Sequence, residues 1–190
     1  MPFKWYEAFL IVRFDEITGQ EVLCLYPPTH TLTSSMLTDI KMLSMPECLE
    51  AFPNQSNKYI FRIRDKEPGG GNECLLCYVT FIRVRDNRQA RNYLNISLIL
   101  VSRHTFITLH NAVLTRMMQT ISKIQSVTRT SVEEKETKET KKEKEEGELY
   151  TCLETAYHQI TQWRLSEGND QEYDFPLLGT VIHFERPITV

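Results

Sequence analysis

Two neighbouring apolar segments constrain the fold of this chain more than any other feature. Residues 76–85 are rich in β-branched and aromatic side chains, and in residues 94–100 Leu94, Ile96 and Leu98 alternate with polar residues. Alternation with a period of two is typical of a half-buried β-strand. Because only a short polar bridge joins the two segments, they predict a long antiparallel hairpin. The other elements must then pack on this hairpin or beside it.

Three further strands are expected before the hairpin. The continuous apolar run of residues 8–14 predicts a central strand that is covered on both faces. Residues 21–26 predict a second strand, which ends at Pro27 because proline cannot donate a hydrogen bond to a ladder. Residues 58–65 predict a third strand, with aromatic and apolar side chains on one face and Arg62 and Arg64 on the other.

A helix is predicted between the second and third strands. Thr33 is the expected N-cap, and the helical pattern stops before Pro46. Met42 and Met45 lie off the apolar stripe of this helix. Since methionine is a common filler of gaps, we favour a packing role for both residues. The alternative is that they form an adaptable contact face for a partner.

Two helices and an exit strand are expected after the hairpin. Apolar side chains recur at helical spacing from Phe106 to Ile124 and again from Leu149 to Trp163. Between them, residues 128–148 consist mainly of Glu, Lys, Thr and Ser, which predicts a charged, flexible insert or a frayed helical extension. Residues 175–184 predict one strand-like exit. The expected order β-β-α-β-β-β-α-α indicates an α+β fold with a mainly antiparallel five-stranded sheet.

The composition points away from nucleic acid and from catalytic chemistry. A net charge of −3 over 190 residues argues against a nucleic-acid partner. The odd number of cysteines, five, and the absence of a secretory signal predict reduced thiols in the cytoplasm. Cys74 and Cys77 form a C-x-x-C, but they start a strand and lack a second pair, so we expect structural cysteines. We expect no catalytic residue, no metal and no cofactor.

Four arginines gather at one end of the predicted hairpin: Arg83, Arg85, Arg88 and Arg91. Asp86 is the only acidic residue near them. A basic end on an otherwise acidic protein could bind an acidic partner or make weak contact with anionic lipid headgroups. It could equally be a solvated hairpin end, because an exposed charge cluster says little by itself. Together with Met42 and Met45, these arginines are the candidate partner-binding residues.

The chain also resembles a known family. The predicted order of elements is that of a longin domain, an α/β/α sandwich. Nine short segments of the chain resemble, in the same order, segments of the upstream DENN module, which is a longin-type module. These are residues 12–15, 19–22, 25–28, 61–64, 78–81, 85–86, 91–93, 98–102 and 177–181. The subfamily that the chain resembles most is DENN-domain-containing protein type 6. Two features depart from the family: Cys77 stands where a glycine is usual, and the charged segment fills the joint between the last two helices.

The resemblance implies a function. It implies a single longin-type domain over residues 1–190, with the charged insert at 128–148 within it. In the family a larger DENN lobe follows and a Rab GTPase binds between the two lobes; we expect that second lobe to be absent here, because the chain stops at Val190. The implied role is the N-terminal lobe of a Rab guanine-nucleotide exchange factor in vesicle traffic, inactive alone. The alternative is a non-catalytic adaptor that binds a second DENN lobe or a trafficking-complex subunit. Either role would place the chain in the cytoplasm or peripherally on endosomal or Golgi membranes.

Overall fold

The structure, a computed structural model, describes residues 4–46, 56–64, 74–85, 93–130, 138–165 and 171–186. The chain divides into two compact units: Trp5–Thr105, and the part from Phe106 onward together with Lys4. The first unit contains β1 (Ala8–Asp15), β2 (Gly19–Tyr26), α1 (Ser34–Leu43), β3 (Ser56–Arg64), β4 (Cys74–Arg85) and β5 (Tyr93–Ser102). The second contains α2 (Ile107–Thr130), α3 (Lys138–Thr161), β6 (Glu172–Leu177) and β7 (Thr180–Glu185).

The first unit is built on a five-stranded sheet with the order β2-β1-β5-β4-β3, and every neighbouring pair is antiparallel. The predicted hairpin is confirmed: β4 pairs with β5 from Leu76↔Ser102 to Arg85↔Tyr93. The prediction that residues 8–14 form an interior strand is also confirmed, because β1 pairs with β2 on one side and β5 on the other. The fold is α+β, and its five-stranded antiparallel sheet with helices is consistent with a longin-like fold.

Helix α1 packs on one face of this sheet. Its buried residues Met36 and Ile40 join a core formed by alternate residues of the strands: Ala8, Leu10, Val12, Cys77, Val79, Phe81, Ile99 and Val101. Fully burying one such large apolar side chain stabilises the fold by about 1.5–3 kcal/mol. This face therefore holds α1 in place.

The start of α1 is as the sequence predicts. Thr33 has an extended backbone and is the N-cap, and its Oγ1 accepts a hydrogen bond from the Met36 amide at 3.4 Å. The helix ends at Leu43 with Ser44 as its C-cap, two residues before Pro46. The local sequence thus determines both ends of this helix.

In the second unit α2 and α3 pack against each other, β6 packs on α3 and β7 packs on α2. The apolar stripe predicted for the last helix is confirmed, because Leu149, Leu153, Ala156, Ile160 and Trp163 are all buried. Residues 138–148 of the charged segment belong to α3. No helix within the described ranges is both long and apolar enough to cross a membrane.

Residues 175–184 were predicted to form one strand, and the structure differs from this prediction. This segment lies in the antiparallel hairpin β6–β7, in which Leu177 pairs with Thr180 across a turn at Leu178 and Gly179. Both turn residues have positive φ, 48° at Leu178 and 75° at Gly179. A two-residue hairpin turn with positive φ at both positions normally contains Asn or Asp before Gly. The dipeptide Leu-Gly is not a typical sequence for such a turn, so the apolar pattern of residues 175–184 predicts one continuous strand.

Candidate partner-binding surface

The described residues hold no group of three or more His, Cys, Asp or Glu side chains that could bind a metal ion. Cys74 and Cys77 lie on β4 as free thiols. Cys77 is fully buried in the core of the first unit, and this burial raises the pKa of its thiol far above the ordinary value. A thiol that stays protonated at neutral pH is a poor nucleophile, so the arrangement fits the expected structural role.

Tyr78 is a second buried titratable group. Its hydroxyl donates a hydrogen bond to the carbonyl oxygen of His104 at 2.7 Å. Burial raises the pKa of Tyr78 to about 12, so the phenol remains protonated at neutral pH. The contact ties β4 to the segment that follows β5, which is a structural role.

The arginine end of the β4–β5 hairpin is partly organised by the neighbouring strand. Arg83 Nε donates to Asn95 Oδ1 at 3.1 Å, and the Arg83 guanidinium carbon lies 5.4 Å from the centroid of the Tyr93 ring. Arg85 is exposed and pairs across the hairpin with Tyr93. Arg88 and Arg91 lie outside the described residues. One arginine of the predicted cluster is therefore held in a defined position and a second is open to solvent.

The C-terminal end of α1 places the two methionines in different environments. Met42 is 59 % exposed and its neighbour Leu43 is 50 % exposed, whereas Met45 is 8 % exposed. Met45 belongs to the core of the first unit, and Ser97 Oγ lies 3.8 Å from its sulfur atom. Met42 and Leu43 can therefore contact a partner, while Met45 has a packing role.

Two hydroxyl groups anchor this end of α1 to the sheet. Tyr59 on β3 donates to the carbonyl oxygen of Ser44 at 2.6 Å, and Ser97 on β5 donates to the same oxygen. Ser44 is fully buried, and the last carbonyl groups of a helix need such donors. The exposed pair Met42 and Leu43 is thus presented on a rigid support.

The C-terminal end of α1, which carries Met42, and the arginine end of the β4–β5 hairpin lie on one face of the sheet. Ser97, which binds the end of α1, lies two residues before Ile99 and two after Asn95 on β5. Because side chains alternate along a strand, Asn95 and its partner Arg83 lie on the same face as Ser97. We call Met42, Leu43, Arg83, Arg85 and Tyr93 the α1 face; Arg83 is partly buried and the other four residues are exposed. It combines apolar and basic side chains.

Sequence reasoning missed Tyr93, Asn95 and Leu43. Tyr93 and Asn95 are opposite Arg85 and Arg83 in the hairpin register, so pairing the two predicted strands would have identified them. No comparable signal exists for Leu43, which recurs at helical spacing with the buried residues Met36 and Ile40 but is itself half exposed.

A groove of about 560 Å³ lies in the second unit between α2 and α3. Small residues of α3 form much of its wall, including Gly147, Thr151 and Thr155. Thr120 and Ile124 of α2 and Leu178 also contribute. Cys152 also lines this groove; burial raises the pKa of its thiol to about 11, and nearby Arg116 opposes the rise. The charged residues Lys144 and Glu148 also line the groove.

Comparisons with known proteins connect the chain to one group. The chain is 26 % identical, over 98 % of its length, to Protein DENND6 homolog from Dictyostelium discoideum, and covers 22 % of that protein. It is 26 % identical to mouse Protein DENND6B, again over 98 % of its length, and covers 31 % of it. Chicken Protein DENND6A is 29 % identical over 58 % of the chain, which covers 22 % of that relative. No protein-family model matches.

These relatives agree with the residues that carry the resemblance in the sequence. The similarity extends over nearly the whole of this chain, whereas the chain spans only between 22 % and 31 % of the relatives' length. The chain is therefore similar to one part of the DENND6 proteins, and the predicted resemblance to a DENN module of this type is confirmed.

Proposed function

We propose that this chain is a longin-type lobe of a Rab guanine-nucleotide exchange factor that acts in membrane traffic. The observation that carries the proposal is the similarity to DENND6 proteins over 98 % of the chain. The five-stranded antiparallel sheet with α1 on one face supports it.

The proposed activity agrees with the chemistry of the described residues. Nucleotide exchange needs no nucleophile and no general acid or base, because it results from tighter binding of the nucleotide-free state of the GTPase. What it requires is a rigid surface with differential affinity. We propose that the α1 face is part of this surface, since Met42 and Leu43 are exposed on a helix end that two hydroxyl groups fix to the sheet.

We also propose that exchange requires more than this lobe. The relatives are several times longer than this chain, which covers 22 % of one and 31 % of another. The isolated chain is expected to bind a Rab protein but to accelerate nucleotide release little or not at all. A cytoplasmic location is part of the proposal, supported by the free thiols of Cys24, Cys74, Cys77 and Cys152.

A binding experiment tests the proposal. The purified chain is immobilised and exposed to a panel of small GTPases, each nucleotide-free, GDP-loaded and GTP-loaded. We expect capture of one Rab protein in its nucleotide-free state. Met42→Asp should weaken this capture about tenfold or more, because a charge replaces an apolar contact at the centre of an interface.

Val181→Asp is the matched control. Val181 is 55 % exposed, close to the 59 % of Met42, and it lies on β7 in the other unit. The same substitution there should leave capture unchanged. Equal losses from both variants, or capture of no GTPase in any state, would contradict the proposal.

A second candidate function is a non-catalytic adaptor. The exposed apolar pair Met42 and Leu43 favours it, because such a pair can dock a trafficking-complex subunit as well as a GTPase. In this case a stable complex would form with no preference for the nucleotide state of any GTPase. The panel experiment therefore separates the two functions.

A further inference from the structure

Strand β3 is the outer strand of the five-stranded sheet. All nine of its residues pair with β4, from Ser56↔Ile82 to Arg64↔Cys74. Within the part of the chain that the structure describes, no strand pairs with its other edge. The main chain of an edge strand offers alternate N–H and C=O groups to a further strand.

The two faces of β3 differ in chemistry. On the side of α1, Tyr59 and Phe61 are partly buried and Ile63 is 2 % exposed. On the other side, Lys58, Arg62 and Arg64 are exposed, together with Ile60 at 41 %. Strand β3 itself contains no acidic residue.

The positive charge of the face with Lys58, Arg62 and Arg64 determines which kind of strand could pair with the outer edge of β3. A second copy of β3 would place arginine opposite arginine or lysine, and like charges directly opposite each other destabilise a strand pair. An acidic strand would gain from the same charges. Side chains that share a face are about 6.6 Å apart along a strand, so acidic residues two positions apart match the spacing of Arg62 and Arg64.

We propose that the outer edge of β3 binds an extended acidic segment of a partner protein by strand addition, with Asp or Glu at alternate positions opposite Arg62 and Arg64. Main-chain hydrogen bonds to β3 supply affinity, and the arginines supply the choice of sequence and of register. This site uses other residues than the proposed GTPase surface, and the proposal does not depend on whether that surface binds a GTPase.

Fluorescence anisotropy tests the proposal with labelled peptides that match the nine residues of β3 in length. The first peptide carries Glu at alternate positions with Val and Thr between them. The second has Gln in place of Glu, and the third is the first with N-methyl groups at alternate residues. We expect the full chain to bind the first at least about tenfold more tightly than the other two, because they lose the charge pairs and the main-chain hydrogen bonds respectively.

Variants of the chain locate the site. The double variant Arg62→Glu with Arg64→Glu should weaken binding of the Glu peptide at least about tenfold and should create binding of a matching Lys peptide. Arg186→Glu, an exposed arginine after β7, is the control and should leave the affinity within about twofold. Raising the salt concentration from about 50 to 300 mM should weaken the complex.

Several results would overturn the proposal. Equal binding of the N-methylated peptide would mean that charge alone attracts the peptide, without strand addition. Equal losses from Arg186→Glu and from the double variant would mean that β3 is not the site. Binding of phosphatidylserine vesicles that depends on Arg62 and Arg64, with no peptide binding, would assign the basic face to a membrane instead.

Discussion

Leu178 has a backbone conformation that is unfavourable for its side chain. Its φ of 48° lies in the left-handed region, which costs a residue other than glycine about 1–2 kcal/mol. Two side chains compensate for this cost: Gln159 Oε1 accepts the Leu178 amide hydrogen at 2.7 Å, and Arg116 donates to the Leu178 carbonyl oxygen. Gly179 suits its own position in the turn of the β6–β7 hairpin, whereas Leu178 is held there by side chains of α3 and α2.

Removing the Gln159 acceptor should destabilise the second unit. In Gln159→Leu the Leu178 amide loses its partner, which should lower the free energy of unfolding by about 1–2 kcal/mol. Gln159→Glu retains a carbonyl-type acceptor and should lose less than half as much. Urea unfolding measured by circular dichroism gives both values. If the two variants have the same stability as the natural chain, this hydrogen bond does not support the turn.

This turn shows where prediction from single residues fails. Asn-Gly would have marked a hairpin, whereas Leu178-Gly179 looks like part of a strand, because the groups that hold it lie 19 and 62 positions away in the chain. The same limit applies to Met45. Its side chain was a candidate contact only because the sequence does not show that Ser97 and the sheet lie beside it.

At the scale of elements, local signals predicted most of the first unit. Thr33 and Pro46 bracket α1, and the alternation in β5 identifies the hairpin with β4. These elements were predictable because caps, prolines and period-two patterns act within a few residues. The edge position of β3 was not predictable in this way, since strand order depends on pairing between distant segments.

The N-cap of α1 is expected to contribute measurably to stability. Thr33→Ala removes the acceptor for the Met36 amide and should lower the free energy of unfolding by about 1 kcal/mol. Thr33→Ser keeps the hydroxyl group and should cost only a few tenths of that energy. Urea denaturation in a Trp163→Phe background, followed by the fluorescence of Trp5 in the same unit as Thr33, provides the comparison. Equal losses in Ala and Ser variants would mean that the cap is not formed by the hydroxyl group.

At the scale of the whole molecule, the prediction of one domain over residues 1–190 can be tested with the two tryptophans. Trp5 lies in the first unit and Trp163 in the second, and both are 2 % exposed. Trp5→Phe and Trp163→Phe each leave one fluorescent probe. If the chain is a single cooperative domain, the urea transitions of both variants should coincide with the transition seen by circular dichroism.

Two separate transitions would contradict the single-domain prediction. Each Trp→Phe substitution changes stability to some extent, so the decisive comparison is made within one variant, between fluorescence and circular dichroism. Coincidence in both variants supports one domain, whereas a mismatch in either variant shows that the units unfold independently.

The function could be predicted only through resemblance. Nothing in the residues of the α1 face specifies a GTPase, because an exposed Met42 and a basic hairpin end fit many partners. The ordered similarity along the chain, which the DENND6 relatives confirm, carries more information than any one of these residues.

The double hydrogen bond at the end of α1 has a consequence for sequence variation. The acceptor is the main-chain oxygen of Ser44, which every amino acid provides, while the donors are the side chains of Tyr59 and Ser97. Natural selection can therefore preserve this anchor without preserving the helix end that it holds. Among divergent relatives, hydroxyl-bearing residues at the positions of Tyr59 and Ser97 should therefore predict where the helix ends better than the sequence of the helix does.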